Sequence, residues 1–155
     1  MTAAASTRIS PASWICTTIG AKGLDVYSVG TGAAYLGDQA IEEIFTDVDR
    51  WPIIAGQGTR PGTAKPVDGG FQISGDWSFG SGLKHSQYIH SAVVTEDTGQ
   101  FRITVVPIDK ANLEQDSWNV LGLKATGSID YQMRGVFVPE HFTHDGLKQE
   151  SSRGG

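Results

Sequence analysis

Cysteine is almost missing from this chain: Cys16 stands alone among 155 residues. An internal disulfide and a CxxC metal or redox site are thereby excluded. Basic charge is also short. Asp and Glu number 17 against 12 Lys and Arg, for a net charge of -5. No Lys/Arg cluster forms a stripe, which argues against a nucleic-acid partner. No apolar run reaches the roughly 20 residues of a membrane helix. The opening MTAAASTRIS is small and polar and lacks a secretory apolar core. A soluble cytoplasmic protein with no membrane association is the expectation. Phosphate-loop signatures are missing too. There is no GxxxxGK, and Gly30-Thr31-Gly32 is followed by Tyr35 where a dinucleotide-binding turn needs a small residue. His141 and His144 are spaced for one helical turn, but no third ligand lies near them in sequence, so no metal site is expected.

Glycine is abundant, with 20 residues gathered at apparent strand junctions. A hydrophobic fraction of 39% and a charged fraction of 19% describe an ordinary globular protein. Ser10-Pro11 forms a helix start, followed by the short apolar face of Trp14, Ile15 and Ile19. A second helix is predicted from about Asp38 to Thr46, with Leu36, Ala40, Ile41, Ile44 and Phe45 as its apolar stripe and Glu42 and Glu43 on the wet side. The Gly- and Pro-rich WPIIAGQGTRPGTAKP from Trp51 reads as a loop. Strands are predicted at Gly70–Ile73, Tyr88–Thr95, Phe101–Ile108 and Ser128–Val138, with Asp97-Thr98-Gly99-Gln100 as a hairpin turn. Helices first and an antiparallel β unit after them define an α+β chain. Glycines at so many strand corners favour a small barrel or sandwich.

The most informative segment is GDWSFGSG, Gly75–Gly82. Gly80 and Gly82 flank Ser81, so the backbone there can approach a flat ligand. Strand alternation predicts Trp77 and Phe79 on one face. A hydroxyl between two glycines beside aromatic surface offers one polar contact to a planar heterocycle. The same residues also read as a glycine-rich strand corner with core aromatics. GLKATGSID at Gly122–Asp130 is likewise accounted for by turn chemistry, through Thr126 and Ser128 bonding to nearby backbone.

Taken together these segments resemble the two-component flavin-dependent monooxygenases built on the acyl-CoA dehydrogenase fold. GGFQISGDWSFGSG is similar to their glycine pair, short strand and W-S-F-x-S-G core. Trp118–Asp130 with GVFVPE at Gly135–Glu140 resembles their W-x-V-x-G-x-x-x-T-G-S-x-D…V-F-V-P-E pattern, and SWICTTIGAK at Ser13–Lys22 resembles their S-x-W helix. The resemblance is collinear from about Ile9 to Phe142. It implies a partial helical segment at 1–50, a middle β-barrel domain at 51–142 and a truncated tail at 143–155, with the relatives' C-terminal helical bundle absent. The chain is therefore expected to be a fragment, inactive in isolation.

The resemblance also implies a cofactor, reduced FMN rather than FAD, delivered by a separate flavin reductase. A small aromatic or polycyclic substrate and a homotetrameric full-length form follow in the same way. Ser81 is implied to lie near the flavin N5 edge, where an oxygen-activating flavin must be shielded from water. Trp77, Phe79 and Gly80 are implied to line the ring, and Gly56, Gln57 and Gly58 to pass along it through main-chain groups. Lys22 stands where several of these hydroxylases carry a histidine that acts on the phenolic substrate. It is the second candidate catalytic residue beside Ser81, or else a solvated loop residue. Acyl-CoA dehydrogenation and a non-catalytic, partner-binding β-barrel are the alternative functions. W-S-F-G-S-G in place of the dehydrogenases' W-I-T-N favours oxygen chemistry.

Overall fold

The computed structural model describes residues 33–46, 52–121 and 126–147. The expected first helix, with Trp14 and Lys22, lies outside them. Helix α1 spans Asp38–Ile44, close to the predicted range. Its stripe is as expected: Leu36, Ala40, Ile41 and Ile44 are buried, while Glu42 and Glu43 face out. Each such large aliphatic contributes roughly 1.5–3 kcal/mol by leaving water.

Seven strands follow: β1 Ile54–Val67, β2 Gly70–Gly80, β3 Tyr88–Thr95, β4 Phe101–Pro107, β5 Asn112–Glu114, β6 Ile129–Pro139 and β7 Thr143–Asp145. They form one sheet in the order β5-β6-β2-β1-β3-β4-β7. β1 and β3 run parallel, and the other pairs are antiparallel. The sheet is thus mixed and open, which corrects the expected antiparallel barrel. Only one strand separates β2 from β3 in the sheet, and the chain from Ser81 to Gln87 carries β3 across to the far side of β1. The sheet curls enough for β4 to touch β6, but no ladder joins them. β7 also draws Thr143–Asp145, expected in the tail, into the sheet beside β4.

The chain from Ile54 to Pro66, expected as a loop, is strand β1. Its prolines sit where no ladder bond is lost. Pairing with β3 breaks between Gln57 and Gly62, which leaves Pro61 in the excursion, and Pro66 lies beyond Ala64, the last residue paired to β3. The Gln57 side chain replaces the missing partners. Its Oε1 accepts from the Thr59 and Arg60 amides at 2.8 and 2.9 Å, and its Nε2 donates to the Arg60 carbonyl at 3.0 Å.

Both faces of the sheet are covered by apolar contacts. Neighbours on one strand serve opposite sides: Ala55 and Val106 join the cluster of Ile73, Trp77, Ile89, Val93, Tyr131 and Met133, while Ile54 and Val105 pack under α1. Gly62 is required by the first cluster. A Cβ there would lie 2.5 Å from Trp77 Cζ2 and 2.6 Å from the Ser74 carbonyl oxygen. Gly62→Ala is expected to cost about 1–3 kcal/mol through overpacking, read as a lower urea midpoint at unchanged slope. No helix among the described residues is long and apolar enough to cross a membrane.

Candidate functional site

The site is built where β2 ends. β2 pairs with β6 with one register shift between Ile73 and Gly75, runs in step from Gly75↔Met133 to Trp77↔Tyr131, then shifts again and resumes at Gly80↔Ile129. One extra residue on β2 makes a bulge, and Phe79 takes it up at φ 65. This insertion puts Trp77 and Phe79 in different environments and corrects the expected shared face. Trp77 is 1% exposed and lies in the core. Its indole stacks on Tyr131 at 5.3 Å and 9°, and Nε1 donates to the Ala92 carbonyl at 3.0 Å. Ala92 faces the break in the β1 ladder, so that carbonyl needs a partner from elsewhere. Phe79 is instead 67% exposed, edge-on to Trp118 at 6.1 Å and 85°.

Past the bulge, Gly80, Ser81 and Gly82 form a shelf. Gly80 is tightly seated, since a Cβ there would come within 2.3 Å of Leu83 Cδ1 and 3.0 Å of Tyr131 Cε1. Tyr131 therefore links Trp77 to the underside of the shelf. Ser81 bridges to Gly56 of β1. Its hydroxyl lies 2.9 Å from that of Ser128, which in turn lies 2.9 Å from that of Thr126. The Gly82 amide donates to the Thr126 carbonyl at 3.0 Å. The two glycine-rich segments of the sequence thus meet in one place. Ser128 is buried and Ser81 exposed, so the chain of hydroxyls runs outward from the protein to the surface. Thr126 and Ser128 read from the sequence as turn residues and as part of the T-G-S pattern; no local pattern marks a hydroxyl that supports another across 47 positions.

The Gly56–Gly58 segment lies alongside. Gly56, at φ 146, is pressed against β3: a Cβ would sit 2.1 Å from the His90 carbonyl oxygen. The Gln57 side chain is spent within its own excursion, and its main chain pairs with Ser91 of β3. Gly58 is open, with Ile103 Cδ1 alone within reach at 3.5 Å. His90 pairs with Gly56 in the ladder, which puts Ser81, just past β2, in one row with Gly56 of β1 and His90 of β3. Burial, and then the nearby His144, depress the His90 pKa from 6.5 to about 4. The ring adds no positive charge to this row at neutral pH. Lys22 lies outside the described residues.

The structure therefore brings together Ser81, Gly80, Gly56, Gln57, Gly58 and Phe79, and sets Trp77 behind them. Hydroxyls, backbone and aromatic edges line the shelf, and no group of His, Cys, Asp or Glu suited to a metal occurs among the described residues. Two surface clefts, of about 460 Å³ beside Val67 and Gln100 and about 340 Å³ beside Tyr88 and Phe137, lie away from Ser81. The shelf is an exposed ledge whose glycines are set close against the protein beneath it: Gly80 on Leu83 and Tyr131, Gly56 on the His90 carbonyl. A flat, neutral heterocycle with hydrogen-bonding nitrogen at one edge fits this donor set.

Fold and shelf together define a β unit with an exposed hydroxyl-bearing ledge at the end of β2. Comparison with known proteins specifies it further. The chain is 29% identical over 120 residues to a pigment production hydroxylase of Rhodococcus erythropolis, covering 72% of this chain and 30% of that protein. It is 32% identical over 114 residues to the flavin-dependent monooxygenase oxygenase subunit HsaA of Rhodococcus jostii, covering 70% of this chain and 28% of that one. Among solved structures it is similar to XiaF from Streptomyces sp. in complex with FADH2 and glycerol. That match has a TM-score of 0.66 and 28% identity, covering 76% of this chain and 30% of XiaF. No protein-family model matches. The chain spans about 30% of the length of the first of these curated relatives.

Proposed function

We propose that this chain is the flavin-contacting β part of the oxygenase component of a two-component monooxygenase, of acyl-CoA dehydrogenase type in fold. The carrying observation is the Ser81 hydroxyl, exposed between two glycines and braced at 2.9 Å by Ser128. The similarity of 70% of the chain to a flavin-dependent monooxygenase subunit and of 76% to FADH2-bound XiaF supports it. Reduced flavin, when bound, supplies the two electrons that let one oxygen atom of dioxygen enter the substrate while the other leaves as water.

The chain's own residues do the holding. Ser81 engages a ring nitrogen at the N5 edge, and Ser128 and Thr126 fix the direction of its lone pairs and proton. The main chain of Gly80 and of Gly56–Gly58 would lie along the ring. Phe79, exposed beside Trp118, would offer the ring an aromatic contact, and Trp77 supports the ledge from behind through Tyr131. Reduced FMN is the preferred cofactor, with a separate reductase as its source. The substrate is a small aromatic or polycyclic compound, and the full-length form is a homotetramer. Lys22 is the residue we assign to contact with a phenolate substrate.

Ser81→Ala tests the central role. Loss of one hydrogen bond of about 1–1.5 kcal/mol should weaken reduced-FMN binding by about tenfold in anaerobic titration. The melting temperature should hardly change, because Ser128 keeps Thr126 as partner. An affinity within twofold of wild type would reject the role.

A further inference from the structure

Phe79 is the one non-glycine residue at positive φ among the described residues. An aromatic side chain is poorly suited to that backbone conformation, and its ring gains little from burial here, being 67% exposed. A strained, exposed aromatic persists only where its surroundings over-determine it. The surroundings here are specific. The bulge takes the Phe79 amide out of the β2–β6 ladder, and the Asp130 carboxylate accepts it instead, Oδ1 at 3.1 Å. Asp130 is itself anchored. Its amide donates to Ser117 Oγ at 2.7 Å, and that hydroxyl donates to the Glu114 carbonyl at 2.6 Å. Trp118, the next residue, meets the Phe79 ring edge-on. Asp130 thus joins three parts: its carboxylate holds the strained Phe79 backbone, and its main-chain amide, at the start of β6, holds the segment carrying Trp118.

We infer that Asp130 is a positioning residue: by holding Phe79 in its left-handed conformation it sets up an aromatic wall of Phe79 and Trp118, against which the planar ring at the Ser81 shelf packs. The inference rests on the proposed flavin site. It explains why a fold that could place an ordinary residue here keeps a costly one. It also predicts an unusual signature. Phe79→Gly removes the strain and so raises the melting temperature, yet loses half of the wall and so weakens ligand binding.

The experiment uses the full chain with reduced FMN, titrated anaerobically, together with amide hydrogen exchange at residue 79 in the ligand-free protein. Asp130→Ala should speed exchange at residue 79 more than tenfold and weaken FMN binding about tenfold. Asp130→Asn, which keeps an oxygen acceptor, should leave both within threefold of wild type. In a Phe79→Gly background, Asp130→Ala should cost no further affinity, because no wall is left to position. Wild type that binds FMN with an affinity indifferent to Asp130→Ala overturns the positioning role and leaves the flavin site standing. A wild-type chain that binds no reduced FMN, while exchange at residue 79 still depends on Asp130, overturns the flavin site and the wall's function with it.

Discussion

Trp77→Ala is expected to lower stability by about 3–5 kcal/mol, the range for emptying a fully buried large aromatic site. Three separate losses make up this effect. The indole lies over Gly62 and Gly75, whose missing side chains make room for it: a Cβ on Gly75 would lie 2.7 Å from Trp77 Cη2. Alanine would leave this groove empty, with no neighbouring side chain on either glycine to fill it. The stacked Tyr131, at 5.3 Å, would lose its partner. The Ala92 carbonyl, served by the indole N–H at 3.0 Å, would be left buried and unpaired. Trp77→Phe separates the terms. It keeps most of the apolar volume but drops the hydrogen bond, so about 1–3 kcal/mol should be lost. Urea denaturation of both variants checks the order. Equal stability of Trp77→Phe and wild type would show that the Ala92 carbonyl finds another partner. Reduced-FMN affinity in Trp77→Phe should stay near that of wild type, since the indole supports the ledge without touching its outer surface.

This role for Trp77 marks the boundary of what could be read in advance. Side-chain alternation located β3 at Tyr88–Thr95 to the residue, and the Asp97–Gln100 turn lies where its composition demands, with Gly99 at φ 67. Helix α1 follows from one clear stripe. What could not be read was register. A single inserted residue between Trp77 and Gly80 sends two aromatics to different environments, and period-two patterning carries no trace of it. Nor does composition reveal that a Gln57 side chain can stand in for a ladder, which is how so glycine- and proline-rich a stretch becomes a strand. The parallel pairing of β1 with β3 is equally hidden, because it depends on where the crossover from β2 lands. The candidate site was legible as two glycine-rich segments. Their meeting through Ser81 and Ser128 depends on contacts made across the sheet.

Acid should destabilise the chain by way of His90. Its Nδ1 is enclosed by protein and has no hydrogen-bond partner, although the residue as a whole is only partly buried. Burial and the neighbouring His144 hold its pKa at about 4, below the ordinary 6.5. The folded state therefore favours the neutral ring, while the unfolded chain takes up a proton from about pH 6.5 downward. Between these values the unfolded state binds more protons, so stability is complete above pH 6.5 and falls as pH drops toward 4. The gap corresponds to about 3 kcal/mol by pH 4. His90→Phe removes the titrating group while keeping a ring in the same place. Its urea midpoint should fall much less than that of wild type between pH 6.5 and 4.5, a difference of about 2–3 kcal/mol. Parallel pH profiles for the two proteins would contradict the assignment.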